Sequence, residues 1–120
     1  EGAADAAPAV TVIPAHSIPV IKSPDGKCEL KILGPVDLAA RFEWYELAIQ
    51  PGGVLASEPH ELGSKEHISV LSGTVTVQSG PSEKKVRHGE SARYPVDVQH
   101  AISNAGKTVA TALLVVEYAQ

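Results

Sequence analysis

GESARYPVDVQHAISN, residues 89–104, decides how this chain is read. A glycine opens it, a short run containing Ala92 and Tyr94 follows, Pro95 interrupts, and HAIS resumes before Asn104. That order reads as strand, tight connection, strand. Because neighbouring strand residues face opposite sides, His100, Ile102 and Asn104 share one face. Upstream lies EHISVLSG, residues 66–73. The same parity groups Glu66 with Ile68 and Val70, and His67 with Ser69 and Leu71. Glu66 travels with the apolar pair, so it is expected to point inward and His67 outward.

Working outward, Gly and Pro cluster at SPDGK, GP, PGG, SGPS, HGE and NAGK, with short β-branched and aliphatic runs between them. Strands are expected at 27–33, 42–49, 67–71, 74–78, 91–94, 100–104 and 108–116, and a helical turn at 36–41. No other segment holds a helical period, which makes the chain all-β, a sandwich or barrel. The Ala-rich opening EGAADAAPAV reads as a linker, and residues 10–22, with their prolines, read as an edge strand. The organisation expected is residues 1–26 as linker and edge strand, then one barrel over 27–120.

Composition sets limits on function. The chain has 120 residues, enough for one domain with one core, and 43% of them are hydrophobic. Its formal net charge is -4, and its densest basic run, Lys84, Lys85, Arg87 and His88, is broken by Val86. Direct nucleic-acid binding by these residues is therefore not expected. No apolar run reaches the length that spans a bilayer, and no signal-peptide pattern opens the chain. The single cysteine, Cys28, excludes an intrachain disulfide and fits a reducing compartment, the cytoplasm. The chain starts at Glu1 and contains no methionine, which reads as a piece excised from a longer protein.

Residues 89–104 match the second motif of the cupin family, G-x5-P-x-G-x2-H-x3-N, with Asp97 where the motif has glycine. Residues 66–73 match the E-x6-G end of the first motif. The chain thus resembles a cupin, which implies a double-stranded β-helix barrel around a metal or small-molecule site. The motif glycine usually supplies a positive φ, a conformation that aspartate tolerates better than most residues. In GGVLASEPHELGSKEHISVLSG the shorter first-motif spacing places the two histidines on His60 and Leu62, keeping one ligand and losing the other. The longer spacing places them on Pro59 and Glu61. The resemblance assigns a ligand role to His100, and the metal set it implies is His60, Glu66 and His100, with Glu61 a poorer substitute. Two imidazoles and a carboxylate suit Zn, Fe(II), Ni or Mn and leave positions open for water or a ligand. The competing arrangement is a metal-free pocket in which His60 hydrogen-bonds Glu66.

PHELGSKEHISVLSGTVTV, with WYELAIQPGG before it and HGESARYPVDVQHAISN after it, is similar to the C-terminal cupin domains of helix-turn-helix regulators of the xenobiotic-response-element type. Pro59, His60, Gly63 and Glu66 carry their P-H-x-x-G-x-x-E pattern. The similarity implies a sensor that binds a small-molecule ligand, forms a homodimer, and meets DNA only through an N-terminal module absent from these residues. Tyr94, Trp44 and Glu61 are the candidate ligand-binding residues. The alternative is a small metal-dependent enzyme, an oxygenase or isomerase, for which Tyr94, Glu58 and Glu61 are the nearest acid–base candidates.

Overall fold

The computed structural model describes residues 9–119, so the first eight residues of the expected linker lie outside it. In chain order its strands are β1 (Val20–Lys22), β2 (Cys28–Ile32), β3 (Phe42–Ile49), β4 (Val54–Ser57), β5 (Lys65–Ser72), β6 (Thr74–Ser79), β7 (Ser82–Arg87), β8 (Ser91–Pro95), β9 (His100–Ser103) and β10 (Ala110–Glu117). They form two antiparallel sheets, one ordered β1-β2-β3-β10-β5-β8 and the other β4-β9-β6-β7. Leu47, Ile49, Ile68, Val70, Val75, Val77, Ile102 and Leu114 fill the space between them. Full burial of each such side chain contributes about 1.5–3 kcal/mol, enough to make the inward parity of every central strand non-negotiable.

Register turns that parity into rows across the larger sheet. On its inner face Tyr45, Leu114, Ile68 and Ala92 lie side by side, and the next row is Glu43, Val116, Glu66 and Tyr94. The outer face carries Trp44, Val115, His67 and Arg93. A polar row therefore enters the interior directly beside an apolar one.

The seven strands expected between residues 27 and 116 are present, with ends displaced by at most two residues, whereas the edge strand expected over 10–22 is reduced to Val20–Lys22. The sequence reading missed β4 and β7 as separate strands. β4 has four residues with no fully buried one, and β7 is a charged edge in which only Val86 is buried, so neither carries an apolar alternation. β1 forms the edge of the larger sheet against β2. The helical turn over 36–41 shrinks to the 3-10 turn Val36–Leu38.

The motif glycines set the turns. Gly73 has φ 75°, and a Cβ there would lie 3.0 Å from both Val109 O and Ala110 Cα. Only glycine fits that approach. The expectation for Asp97 needs correction: among the described residues no non-glycine has positive φ. Its Oδ2 instead accepts the Gly63 N–H at 2.9 Å, tying the β4–β5 loop to the β8–β9 connection. Asn104, at the end of the same motif, is buried and donates from Nδ2 to Ile49 O at 2.9 Å and Thr108 O at 2.8 Å. Its Oδ1 accepts the Gly106 N–H, so this one side chain closes the β9–β10 turn and fastens it to β3.

Candidate metal centre

His60 stands on the β4–β5 loop, Glu66 on β5 and His100 at the start of β9, so the two sheets contribute to one site. The loop is held by backbone bonds: His60 N–H donates to Val96 O at 2.8 Å, and Val96 N–H donates to Ser64 O at 3.0 Å. Ser64 N–H in turn donates to Glu61 O at 3.0 Å. One potential ligand atom from each of His60, Glu66 and His100 lies within 4.8 Å of the others.

Both imidazoles are oriented by the same local device. His100 Nδ1 lies 2.9 Å from Val98 O, and His60 Nδ1 lies 3.2 Å from Glu58 O. A carbonyl only accepts, so each Nδ1 carries the proton and each Nε2 keeps its lone pair. His100 Nε2 is buried and has no hydrogen-bond partner. It lies 3.5 Å from Glu66 Oε2, without hydrogen-bond geometry. Two donors bound to one ion at about 2.1 Å with a tetrahedral angle lie roughly 3.4 Å apart. The spacing is poor for a direct bond and right for sharing a cation. The residues present therefore fit a divalent ion, which would supply Lewis acidity and open coordination positions.

The other carboxylate oxygen is engaged. Tyr94 donates its O–H to Glu66 Oε1 at 2.7 Å, so the hydrogen bond to Glu66 comes from Tyr94 rather than from His60. Burial raises the Glu66 pKa above the usual carboxylate range, opposed by the Tyr94 hydrogen bond and the two histidines. Burial also pushes the Tyr94 phenol upward, with Glu66 adding to the shift, so Tyr94 remains a donor. Beyond them, Glu43 Oε1 accepts from Tyr45 at 2.7 Å and from Tyr118 at 3.1 Å. The Tyr118 ring stacks on His60, with centroids 6.0 Å apart and planes 19° apart. Burial and the nearby Glu43 push its phenol up to about 12.

Of the residues expected to bind ligand, Tyr94 is inside and already holds Glu66. Trp44 is not brought to the triad. Its parity puts it on the outer face, and with Val36, Phe42, Glu43 and Tyr45 it lines a surface groove of about 210 Å³ at the end of β3. Tyr45 takes the inner position. Glu61 is exposed on the loop, close enough to Tyr118 to help hold its proton. His67 is half-buried on the outer face and lies 2.9 Å from Glu117 Oε1. Sequence reasoning missed Glu43, Ser64 and Tyr118. Glu43 and Ser64 had a usable signal, the period-two alternation that also carries Tyr45 and Glu66.

The cupin domain model matches residues 45–117. The chain belongs to the cupin domain family. This cupin is 31% identical over 75 residues to the HTH-type transcriptional regulator SutR of Escherichia coli, a match covering 62% of the chain and 42% of SutR. It thus spans less than half of that relative. An HTH_3 family transcriptional regulator from Vibrio cholerae is 26% identical with TM-score 0.73, covering 81% of this chain and 55% of that one. The cupin domain of an XRE family regulator from Enterobacter cloacae has the same fold, with TM-score 0.72, 24% identity, and coverage of 78% of this chain and 99% of that domain. Enzymes share the fold as well: a sugar phosphate isomerase from Silicibacter pomeroyi superposes with TM-score 0.66 at 21% identity, over 91% of this chain and 76% of that one. Among the described residues no helix is long and apolar enough to cross a membrane.

Proposed function

We propose that this cupin is the ligand-sensing part of a helix-turn-helix transcriptional regulator, with a divalent ion held by His60, Glu66 and His100. The observation that carries the metal reading is the buried, unpartnered Nε2 of His100 at 3.5 Å from Glu66 Oε2. The regulator reading is supported by the similarity to SutR and to the Vibrio cholerae protein. Zn, Fe(II), Ni and Mn all accept this donor set.

In this reading a small polar ligand enters between the sheets and takes the open side of the triad. Each chain residue has a defined task. His60 and His100 present lone pairs whose direction is preset by Glu58 O and Val98 O. Tyr94 holds Glu66 so that Oε2 faces His100. The bound state then biases how two DNA-binding modules, supplied by other parts of a homodimeric regulator, are held. A ligand shifts such a balance only through unequal affinity for the two states.

The test has two readouts. Protein purified without chelator is assayed for metal beside His100→Ala, which should lose it; equal content in both would remove His100 from the site. Metal-loaded protein is then incubated with amino acids and small acids while thermal shift and product mass are followed. Stabilisation without conversion supports the sensor. Conversion of a stabilising ligand, abolished by His60→Ala, would transfer the reading to an oxygenase or isomerase.

A further inference from the structure

Two buried side-chain polar atoms among the described residues have no hydrogen-bond partner, His100 Nε2 and Ser64 Oγ. The first belongs to the triad. The second lies outside the triad, on a serine that is fully buried. An unsatisfied buried hydroxyl is destabilising, and native folds rarely retain one without use.

Its position in the register says what that use is. Burial alternates along β5 with Glu66, Ile68 and Val70 inside, and Ser64 continues the alternation one step beyond the strand. Ser64 is therefore the next inward side chain after Glu66. Its carbonyl accepts from Val96 N–H, and Val96 O accepts from His60 N–H, so one residue's backbone clamps Ser64 and His60 together. On the other flank, the β5–β10 pairing runs through Glu66 with Val116 and Lys65 with Glu117. The pairing ends there, and the residue after Glu117, Tyr118, stacks its ring on His60. Ser64 is thus the buried inward side chain next to Glu66 in the alternation, with its backbone clamped to that of His60 through Val96.

We infer that the Ser64 hydroxyl is a recognition element of the triad, donating a hydrogen bond to an oxygen atom of whatever completes coordination there. This rests on the metal reading proposed above. A neutral hydroxyl is a weak ligand for borderline ions beside two imidazoles, so its contribution is to the ligand's oxygen rather than to the ion. The ligand class that follows is an oxygen donor with a free lone pair, such as a carboxylate or hydroxamate. Ser64 is a positioning and specificity residue, not a fourth ligand.

The experiment uses the full chain loaded with Co²⁺, titrated with acetohydroxamate and followed by visible absorption, for wild type, Ser64→Ala and Ser64→Cys. Loss of one hydrogen bond to a charged ligand predicts acetohydroxamate binding weaker by about tenfold to a hundredfold in Ser64→Ala. Ser64→Cys, close in volume but a poor donor, should resemble it, with Co²⁺ affinity altered by less than about threefold in either, a factor worth well under 1 kcal/mol. The metal-free melting temperature of Ser64→Ala should equal or exceed wild type, because an orphaned hydroxyl is removed. Wild-type acetohydroxamate affinity retained in Ser64→Ala overturns the inference and leaves the triad intact, as does a wild type that takes Co²⁺ but not acetohydroxamate. A wild type that takes no Co²⁺ overturns the metal reading and this inference with it.

Discussion

Replacing Tyr94 by phenylalanine removes one oxygen and leaves the ring, so it isolates the bond to Glu66 without opening a cavity. Glu66 is 4% exposed and Tyr94 8%, so water cannot substitute for the lost 2.7 Å bond. A hydrogen bond to a charged group contributes about 1.5–3 kcal/mol and one between neutral groups about 0.5–1.5. Burial raises the Glu66 pKa, so its carboxyl favours folding fully below the ordinary carboxylate value and loses that contribution as pH rises through the raised folded value. The Tyr94 bond opposes the shift by favouring the ionised carboxyl, hence the variant should lose more at pH 8, toward and through the raised folded value, than at pH 4. The expected loss in metal-free protein is about 2 kcal/mol at pH 8 and about 1 at pH 4. For a domain of this size the larger figure lowers Tm by about 8 °C. Urea melts with EDTA at the two pH values provide the measurement, and a Zn²⁺ titration should show affinity reduced about 10–100-fold, as for other supports of a metal ligand. Equal losses at both pH values, or an unchanged Zn²⁺ affinity, would refute the assignment of Tyr94 as the support of a charged Glu66.

Glu66→Gln should raise the metal-free Tm at pH 8, because it removes a carboxyl whose pKa burial raises on folding, and abolish any stabilisation by Zn²⁺; differential scanning fluorimetry with and without EDTA checks both. Wild-type protein in Zn²⁺ at a hundred times its dissociation constant should gain about 2.7 kcal/mol, seen as a shift of the urea midpoint, and EDTA should reverse it. Asn104→Ala orphans the carbonyls of Ile49 and Thr108 and the N–H of Gly106, and should cost about 3 kcal/mol in urea unfolding. Gly73→Ala, at φ 75° with 3.0 Å contacts to backbone, should cost about 2 kcal/mol by the same measurement while leaving metal affinity unchanged.

The sequence was most legible where one physical rule acts alone. Alternation placed Glu66 inside and His67 outside, since Ile68 and Val70 must be buried for the core to close. Trp44 was harder, because FEWYELAI alternates large side chains on both faces and only pairing with Leu114 and Val115 shows which side is the interior. β7 was invisible for the opposite reason: SEKKVR is an edge, and edges are built from charge rather than from a core pattern. Asp97 shows a local rule overridden from a distance. Its side chain is used by Gly63, 34 residues away, and the turn no longer depends on positive φ. Tyr118 sits just past the end of β10, and its stacking on His60 joins residues about half the chain apart. Local patterns hold no record of such contacts.

The outward placement of Trp44 has an optical consequence. It is the only tryptophan in the chain, and its strand parity turns it to the outer face of β3, opposite to Glu43 and Tyr45. The chromophores beside the triad are phenols, those of Tyr45, Tyr94 and Tyr118. Intrinsic emission excited at the red edge of indole absorption therefore reports unfolding of the larger sheet and stays silent when a colourless ion such as Zn²⁺ arrives. Ultraviolet difference absorption of the tyrosines is the signal that follows occupancy.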